Sequence, residues 1–448
     1  MSQQTLHRRG IGRILIGTVA SLLAVVLSAT LATALPPHSK GDRTKAKSVN
    51  VAVEQVADDG VYQSRRTQGG GLYDAASDTT YVVWNAGAMD IHIRGYHHGT
   101  RSWGEPILIA KWGNTGTWAY HDYAVLNQMP DGRLVIFASH HTADLVQFVA
   151  PLPHSAGGTW AKETISTDRV AYPEPVVIGG TVYLFYNRND DQSWPYRTYK
   201  VIRSTDNGTT WSSPRNIVDT GKTVERFDEV YVKSADEVNG RACLTWTLAG
   251  GSAHNAASRD LYGACLDPLT DRMETLSGAS LGMTVDTGDL SASLLLAAPT
   301  SSTVKHPIQL AALTRNKQTG ETMVGVGVTL NGVGQVQVGT VKTAAEIEWT
   351  TVSTGSSSFR DMVWSGAGVE VLSMPNRSTI QADVVSGQDV TTLWSYPVPY
   401  GDTGADASYT ATYIENRSTI SAVMSTINVA TRTSDYSGSW PILAVFAD

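Results

Sequence analysis

Beyond Ala52 the chain carries almost no helical periodicity, and that absence limits the fold more than any other feature. In its place come short runs such as TTYVVWNA, DIHIRGYH, RLVIFASH, TVYLFYNR, MVGVGVTL and TISAVMST. Each is rich in β-branched and aromatic residues and is bounded by Gly, Asn, Asp, Ser or Pro, the pattern of a strand between turns. The composition agrees, with 41 glycines, 12 tryptophans and only 17% charged residues. An all-β fold is expected. For a chain of roughly 400 residues beyond its N-terminal region, the regular all-β candidates are repeat architectures.

A repeat is visible. Ser204 to Trp211 reads STDNGTTW, an S-x-D-x-G-x-T-W turn of the kind called an Asp-box. Asp206 can accept backbone N–H groups within the turn, Gly208 permits a positive φ, and Trp211 can anchor the turn to a sheet. Weaker echoes are HHGTRSWGEP, SAGGTWAKET and AAEIEWTTVS. Trp103, Trp160 and Trp211 stand 57 and 51 residues apart. Four-stranded propeller blades repeat at roughly 40–50 residues. The expectation is one β-propeller over 53–448, of seven blades with four antiparallel strands each, six or eight being the alternatives. The Asp-box is read as structural.

The N-terminus reads as an export signal. Arg8, Arg9 and Arg13 lead an apolar run from Ile14 to Leu35 that ends in Ala32-Thr33-Ala34, the pattern of a cleaved leader. The expected organisation is a signal peptide over 1–34, a linker over 35–52, and a secreted, extracellular or cell-envelope protein with no membrane attachment after cleavage. An uncleaved anchor is the competing reading, since the run is long enough to span a bilayer. Loss of the leader would take the formal net charge from −7 to −10 through its three arginines, which argues against a nucleic-acid partner. The cysteines are Cys243 and Cys265, placed symmetrically about position 254 in two strand-like runs. A cross-strand disulfide is favoured, as suits an exported protein. A structural zinc or calcium site with His254 as a third ligand, and two plain buried thiols, are the other options.

The stretch from Trp118 to Phe148 carries the candidate chemistry. Pro130-Asp131-Gly132 marks a turn between two strands. His121 precedes the first strand and His140-His141 ends the second. Histidine can give or take a proton near neutral pH. Lying at opposite ends of the hairpin sequence, these positions need not face a common point, and a lone histidine at a strand end is more often structural. His97, His98 and His154 are read as solvated turn residues.

Several segments then line up in order. YHDYAVLNQMPDGRLVIFASHH resembles the histidine hairpin of the BNR-repeat polysaccharide lyases, a group that includes propeller-type ulvan lyases and rhamnose–glucuronate lyases. AYPEPVVIGGTVYLFYNR looks like that family's T-Y-P-x-P segment followed by a strand ending in arginine, and FDEVYVKSADEV resembles its Y-x-K strand. AHNAASRDLYGACLD resembles the hairpin whose His/Cys positions hold a structural metal in some members. The likeness runs from about residue 70 to 270. By it the site residues are His121, His141, Tyr172, Arg188 and Tyr231, with His141 chosen over His140 because the family's two histidines stand twenty residues apart. The chain departs from the family with Asp122 where asparagine is usual and Ala171 where threonine is usual.

The resemblance implies β-elimination at C4 of a uronate in a rhamnose- and glucuronate-containing acidic polysaccharide, without a cofactor in the chemistry. The C5 proton lies α to a carboxylate whose charge opposes carbanion formation, so a cation on that carboxylate lowers the barrier. Arg188 suits this, having a planar fork that stays charged. His141 is the first choice of base and Tyr172 of donor to the departing oxygen, with exchange of roles open. His121 and Tyr231 would bind the carboxylate and the intermediate. Two other readings stand beside the lyase. A sialidase-like glycoside hydrolase would use Glu174, Glu225, Asp228 or Glu229. A non-catalytic sugar-binding propeller would use aromatics such as Trp194 and Tyr196. The substrate is the one partner expected, and the protein is expected to be a monomer.

Overall fold

The computed structural model describes residues 50–62, 69–114, 121–189, 196–221, 229–250, 256–298, 307–343, 346–355, 358–376, 378–398, 407–417, 420–428 and 440–447. The chain divides into Met1–Lys45 and Ala46–Asp448. The expected leader and His254 lie outside the described residues. Among those residues no helix is long and apolar enough to cross a membrane.

The fold is all-β, as expected. Antiparallel strands follow one another up and down, with one α-helical turn among the described residues, at Leu290–Ser293. The strand-like runs become strands because their alternation suits a pleated surface buried on both sides. Thr79–Ala86 is buried at every position. Its two faces feed different cores, Tyr81 and Val83 entering one cluster and Val82 and Trp84 another. That two-sided packing is what sheets stacked face to face require. Burying a large apolar side chain contributes on the order of 1.5–3 kcal/mol.

Pairing does not give separate four-stranded sheets throughout. Ile308–Arg315 to Glu346–Gly355 and Ser358–Trp364 to Asp389–Pro397 form two such sheets, while the other strands join into sheets of nine and thirteen. The thirteen-stranded sheet arises where strands serve two neighbours. Ala161–Ile178 pairs with Ala143–Pro153 over its first half and with Thr181–Asn189 over its second. A parallel bridge, Arg197 to Glu229, links the next unit. The nine-stranded sheet arises because Val51–Tyr62, which begins inside the expected linker, pairs with both Trp440–Ala447 and Thr79–Ala86.

Side chains bond successive units together. Asn85 accepts the Ala124 N–H at 3.0 Å. Asn187 accepts the Val232 N–H at 3.1 Å and donates to the Val230 carbonyl at 2.9 Å. Asp236 accepts the Leu313 N–H at 3.0 Å, and Asp361 accepts that of Tyr413 at 2.7 Å. Each staple satisfies a backbone donor that faces no sheet partner. Asn127, Val176, Asp236, Leu313, Met362 and Glu415, drawn from six successive units, share one cavity of about 890 Å³.

The Asp-box turn folds as read. Asp206 Oδ1 accepts the Thr210 N–H at 2.9 Å, Oδ2 accepts the Thr210 hydroxyl at 2.6 Å, and Gly208 sits at φ +79°. Those bonds, the Thr210 hydroxyl foremost, hold the Asp206 carboxyl down at about 2. Trp211 meets the edge of Phe137 at 5.9 Å.

Candidate active site

The hairpin is Val125–Gln128 paired with Arg133–Ser139, and Gly132 turns it at φ +87°. Val125 pairs with Phe137. Counting four residues outward from that pair reaches His121 on one side and His141 on the other. The hairpin sequence left open whether the two histidines meet, and this register brings them together. In an antiparallel hairpin the start of the first strand lies beside the end of the second. Their rings stack with centroids 4.4 Å apart and planes at 27°.

Tyr172 joins them, its ring 5.7 Å from that of His121. The pairing of Ala161–Ile178 with Thr181–Asn189 runs from Ala171–Asn187 to Glu174–Phe185. One side therefore spends an extra residue, a bulge of the kind that re-aims a side chain. Tyr172 occupies that bulge at φ +59°, a left-handed conformation in front of a proline. Such a conformation costs roughly 1–3 kcal/mol and persists where its surroundings fix it. Thr142 N–H and the Ser139 hydroxyl both donate to the Val170 carbonyl, at 3.0 and 3.3 Å, tying the histidine turn to the strand that carries Tyr172.

Arg197 is a cation in contact with Tyr172 and Tyr231. Its guanidinium lies 4.4 Å over the Tyr231 ring, is hydrogen-bonded to the Tyr172 phenol and pairs with Glu229 at 3.3 Å. Burial opposes its charge, but the Tyr231 and Tyr172 phenols and Glu229 outweigh burial and hold the group above its ordinary range. Its Nη1 is buried with no hydrogen-bond partner among the described residues, and so are both ends of the Asn189 amide. Asn189 and Arg197 are register partners on adjacent strands. A guanidinium N–H and an amide with unused hydrogen-bonding capacity therefore sit on register partners, the guanidinium in contact with Tyr172.

Of the sequence-expected residues, His121, His141 and Tyr172 come together, and Tyr231 is joined to Tyr172 through Arg197. Arg188 forms an ion pair with Asp168 at 3.5 Å, and Asp168 also takes the Tyr186 hydroxyl at 2.8 Å and Lys200 at 3.1 Å. Tyr186 and Arg188 share one face of their strand by alternation, while Asn187 and Asn189 share the other. Sequence reading passed over Arg197. The signal was the strand RTYKVIRS, in which Arg197 alternates with buried Tyr199 and Val201. An arginine on a buried face requires an acid, and Glu229 supplies it.

The cysteines settle differently from the metal option. Cys243 and Cys265 are register partners and their sulfurs are bonded to each other. Neither thiolate can ligate a metal in that state, so these residues do not fit the ion that the resemblance implies. No group of three or more His, Cys, Asp or Glu among the described residues is arranged to hold an ion. His154 stands exposed in a turn as read, and also bonds the buried Asp74 at 3.0 Å. The solvated reading is corrected for His98, which is half-buried and bonded to Thr80 at 2.8 Å between the edges of Tyr73 and Tyr96. Of the hydrolase candidates, Glu174 and Glu229 are buried and Glu225 and Asp228 lie outside the described residues.

The BNR repeat-containing family matches residues 79–323, more than half of the chain. The chain belongs to that family. No curated protein matches it. An ulvan lyase of a new polysaccharide lyase family, solved with a bound GlcA(1-4)Rha3S glycan, superposes with a TM-score of 0.65 at 14% identity, over 87% of this chain and 94% of that one. The same enzyme without the glycan gives 0.64 at 14% identity and the same coverage. An α-L-arabinanase of Penicillium chrysogenum gives 0.43 at 12% identity, over 73% and 93%. The BNR-family chain thus shares the β-propeller fold of the ulvan lyase; at such identity the likeness shows the fold alone.

Proposed function

We propose that the protein is an exported polysaccharide lyase that cleaves an acidic, glucuronate-containing glycan by β-elimination, acting as a monomer without a cofactor in the chemistry. The reading rests on one observation: the stacked histidines His121 and His141, the strained Tyr172 and the buried Arg197 form a chain of contacts along the thirteen-stranded sheet. In this reading Arg197, with the unused N–H groups of Asn189, grips the uronate carboxylate and offsets the charge that builds as the C5–H bond breaks. The C5 proton passes to His141 or Tyr172, a double bond forms between C4 and C5, and the C4–O bond breaks as the other group protonates the departing oxygen. Positioned proton transfer contributes typically 10²–10⁴ in rate. His121 and Tyr231 flank the sugar.

We also read the sheets as seven blades. Their first strands would be Gly71–Asp74, Val125–Gln128, the second half of Ala161–Ile178, Glu229–Val238, Ile308–Arg315, Ser358–Trp364 and Ala407–Tyr413. Val51–Tyr62 would complete the last blade, beside the strand that ends the chain.

The test is incubation with ulvan, a rhamnose–glucuronate plant-gum glycan and a sialoside. The expected outcome is ultraviolet absorbance of a 4,5-unsaturated uronate from a uronate glycan, abolished in His141→Ala and in Tyr172→Phe. New reducing ends without absorbance would replace the lyase by a hydrolase. Binding without turnover would leave a lectin.

A further inference from the structure

Asp122 has no exposed surface, yet four donors converge on it. Oδ2 takes Trp112 Nε1–H at 3.1 Å, Asn114 Nδ2–H at 2.6 Å and His140 Nδ1 at 2.8 Å. Oδ1 takes the backbone N–H of His141 at 2.7 Å. A carboxylate oxygen already holding two N–H groups can only accept from the third, so His140 carries its proton on Nδ1. The ring is fixed from a second side by Trp112, stacked on it at 4.3 Å. The other oxygen acts on His141 through its main chain, and so on the ring that stacks on His121.

We propose that Asp122 is the positioning residue of the histidine cleft: one oxygen sets the tautomer of His140, and the other fixes the backbone from which His141 faces His121. The catalytic part of this inference rests on the lyase reading; the positioning part does not. In this chain, where four donors meet the side chain, an asparagine would not keep every bond. Its NH₂ group would meet three N–H donors on one side, or the His141 N–H on the other, and it lacks the lone pairs to accept all four. His140 would then have to release the Nδ1 proton to accept from the amide, or break the contact.

Proton–nitrogen correlation NMR of the imidazoles tests this in the whole protein, together with ring-to-ring NOEs and turnover of the glycan. In the wild type His140 should be protonated at Nδ1 and the His121 and His141 rings should show an NOE. In Asp122→Asn both signatures should be lost, and kcat should fall tenfold or more with KM changed less than threefold. A wild-type His140 protonated at Nε2 alone overturns the proposal, and needs no variant that folds. So does a variant that keeps the NOE, or one that turns over normally. If the wild type turns over no glycan, the lyase reading fails by itself, and the tautomer and NOE still decide the role of Asp122.

Discussion

Tyr172 shows what the site demands of a single residue. A tyrosine in a left-handed conformation before a proline is disfavoured twice, by its own Cβ and by the proline that follows. It is held there by the bulge, by the neighbouring rings and by the bond to Arg197. Arg197 is equally constrained, since its one carboxylate partner is buried with it. Arg197→Lys keeps the charge and loses the planar fork. On the lyase reading it should lower kcat/KM by on the order of 10², about 2.7 kcal/mol of transition-state stabilisation. Arg188→Lys should change it less than fivefold. Steady-state kinetics on a uronate glycan compares the two, and the reverse ranking would return the carboxylate to Arg188. At this scale His121, His141 and Tyr172 were legible because each stands in a local pattern. The contact of Arg197 with Tyr231 was not. It depends on which face of its strand each occupies and on what packs against that face.

Among the elements, the histidine hairpin is written locally: turn residues, two alternating runs and a register that follows from them. The Asp-box is local too, closing within eight residues from Ser204 to Trp211. The cysteine hairpin was half legible. Symmetry about position 254 placed the two cysteines opposite each other and favoured the bond that forms, while leaving a metal as the other option. The bond spans a sequence separation of 22 between Arg241–Gly250 and Ala256–Asp267. Closing a loop of that size restricts the unfolded chain, so Cys243→Ala with Cys265→Ala should lower unfolding free energy by about 2–4 kcal/mol. Urea titration measures it. No loss would mean that the neighbouring strands alone hold the hairpin. The strand Ala161–Ile178 was not legible as a single element. Its polar first half and apolar second half read as different segments, and only pairing on both sides makes them continuous.

At the scale of the whole molecule, the cavity walled by six successive units concentrates carboxylates. Glu415 lines it with its side chain open to solvent, yet the protein mass around the carboxyl, then Asp236, pushes it up to about 7 from 4.5. Burial also drives Asp361 well above its ordinary range, although two backbone N–H groups work the other way. A carboxyl raised in the folded state stabilises the fold most where it is protonated, below about 4.5. That contribution is lost as pH rises through about 7. Thermal midpoints should therefore fall between pH 5 and pH 8, and Glu415→Gln should flatten that fall. An unchanged slope in the variant would remove Glu415 as its cause. None of this clustering is visible in the sequence, where Asp236, Asp361 and Glu415 stand far apart.

The sequence by itself determined the class of structure, the hairpin that pairs two histidines and the turn that repeats once clearly. Each depends on residues near one another in the chain, where alternation, glycine and proline act directly on the backbone. Only the tertiary structure decided that Val51–Tyr62 meets the strand ending the chain, that Arg197 rather than Arg188 lies over Tyr231, and that the two sulfurs bond. Those outcomes depend on which faces pack together, and face-to-face packing is a property of many strands at once.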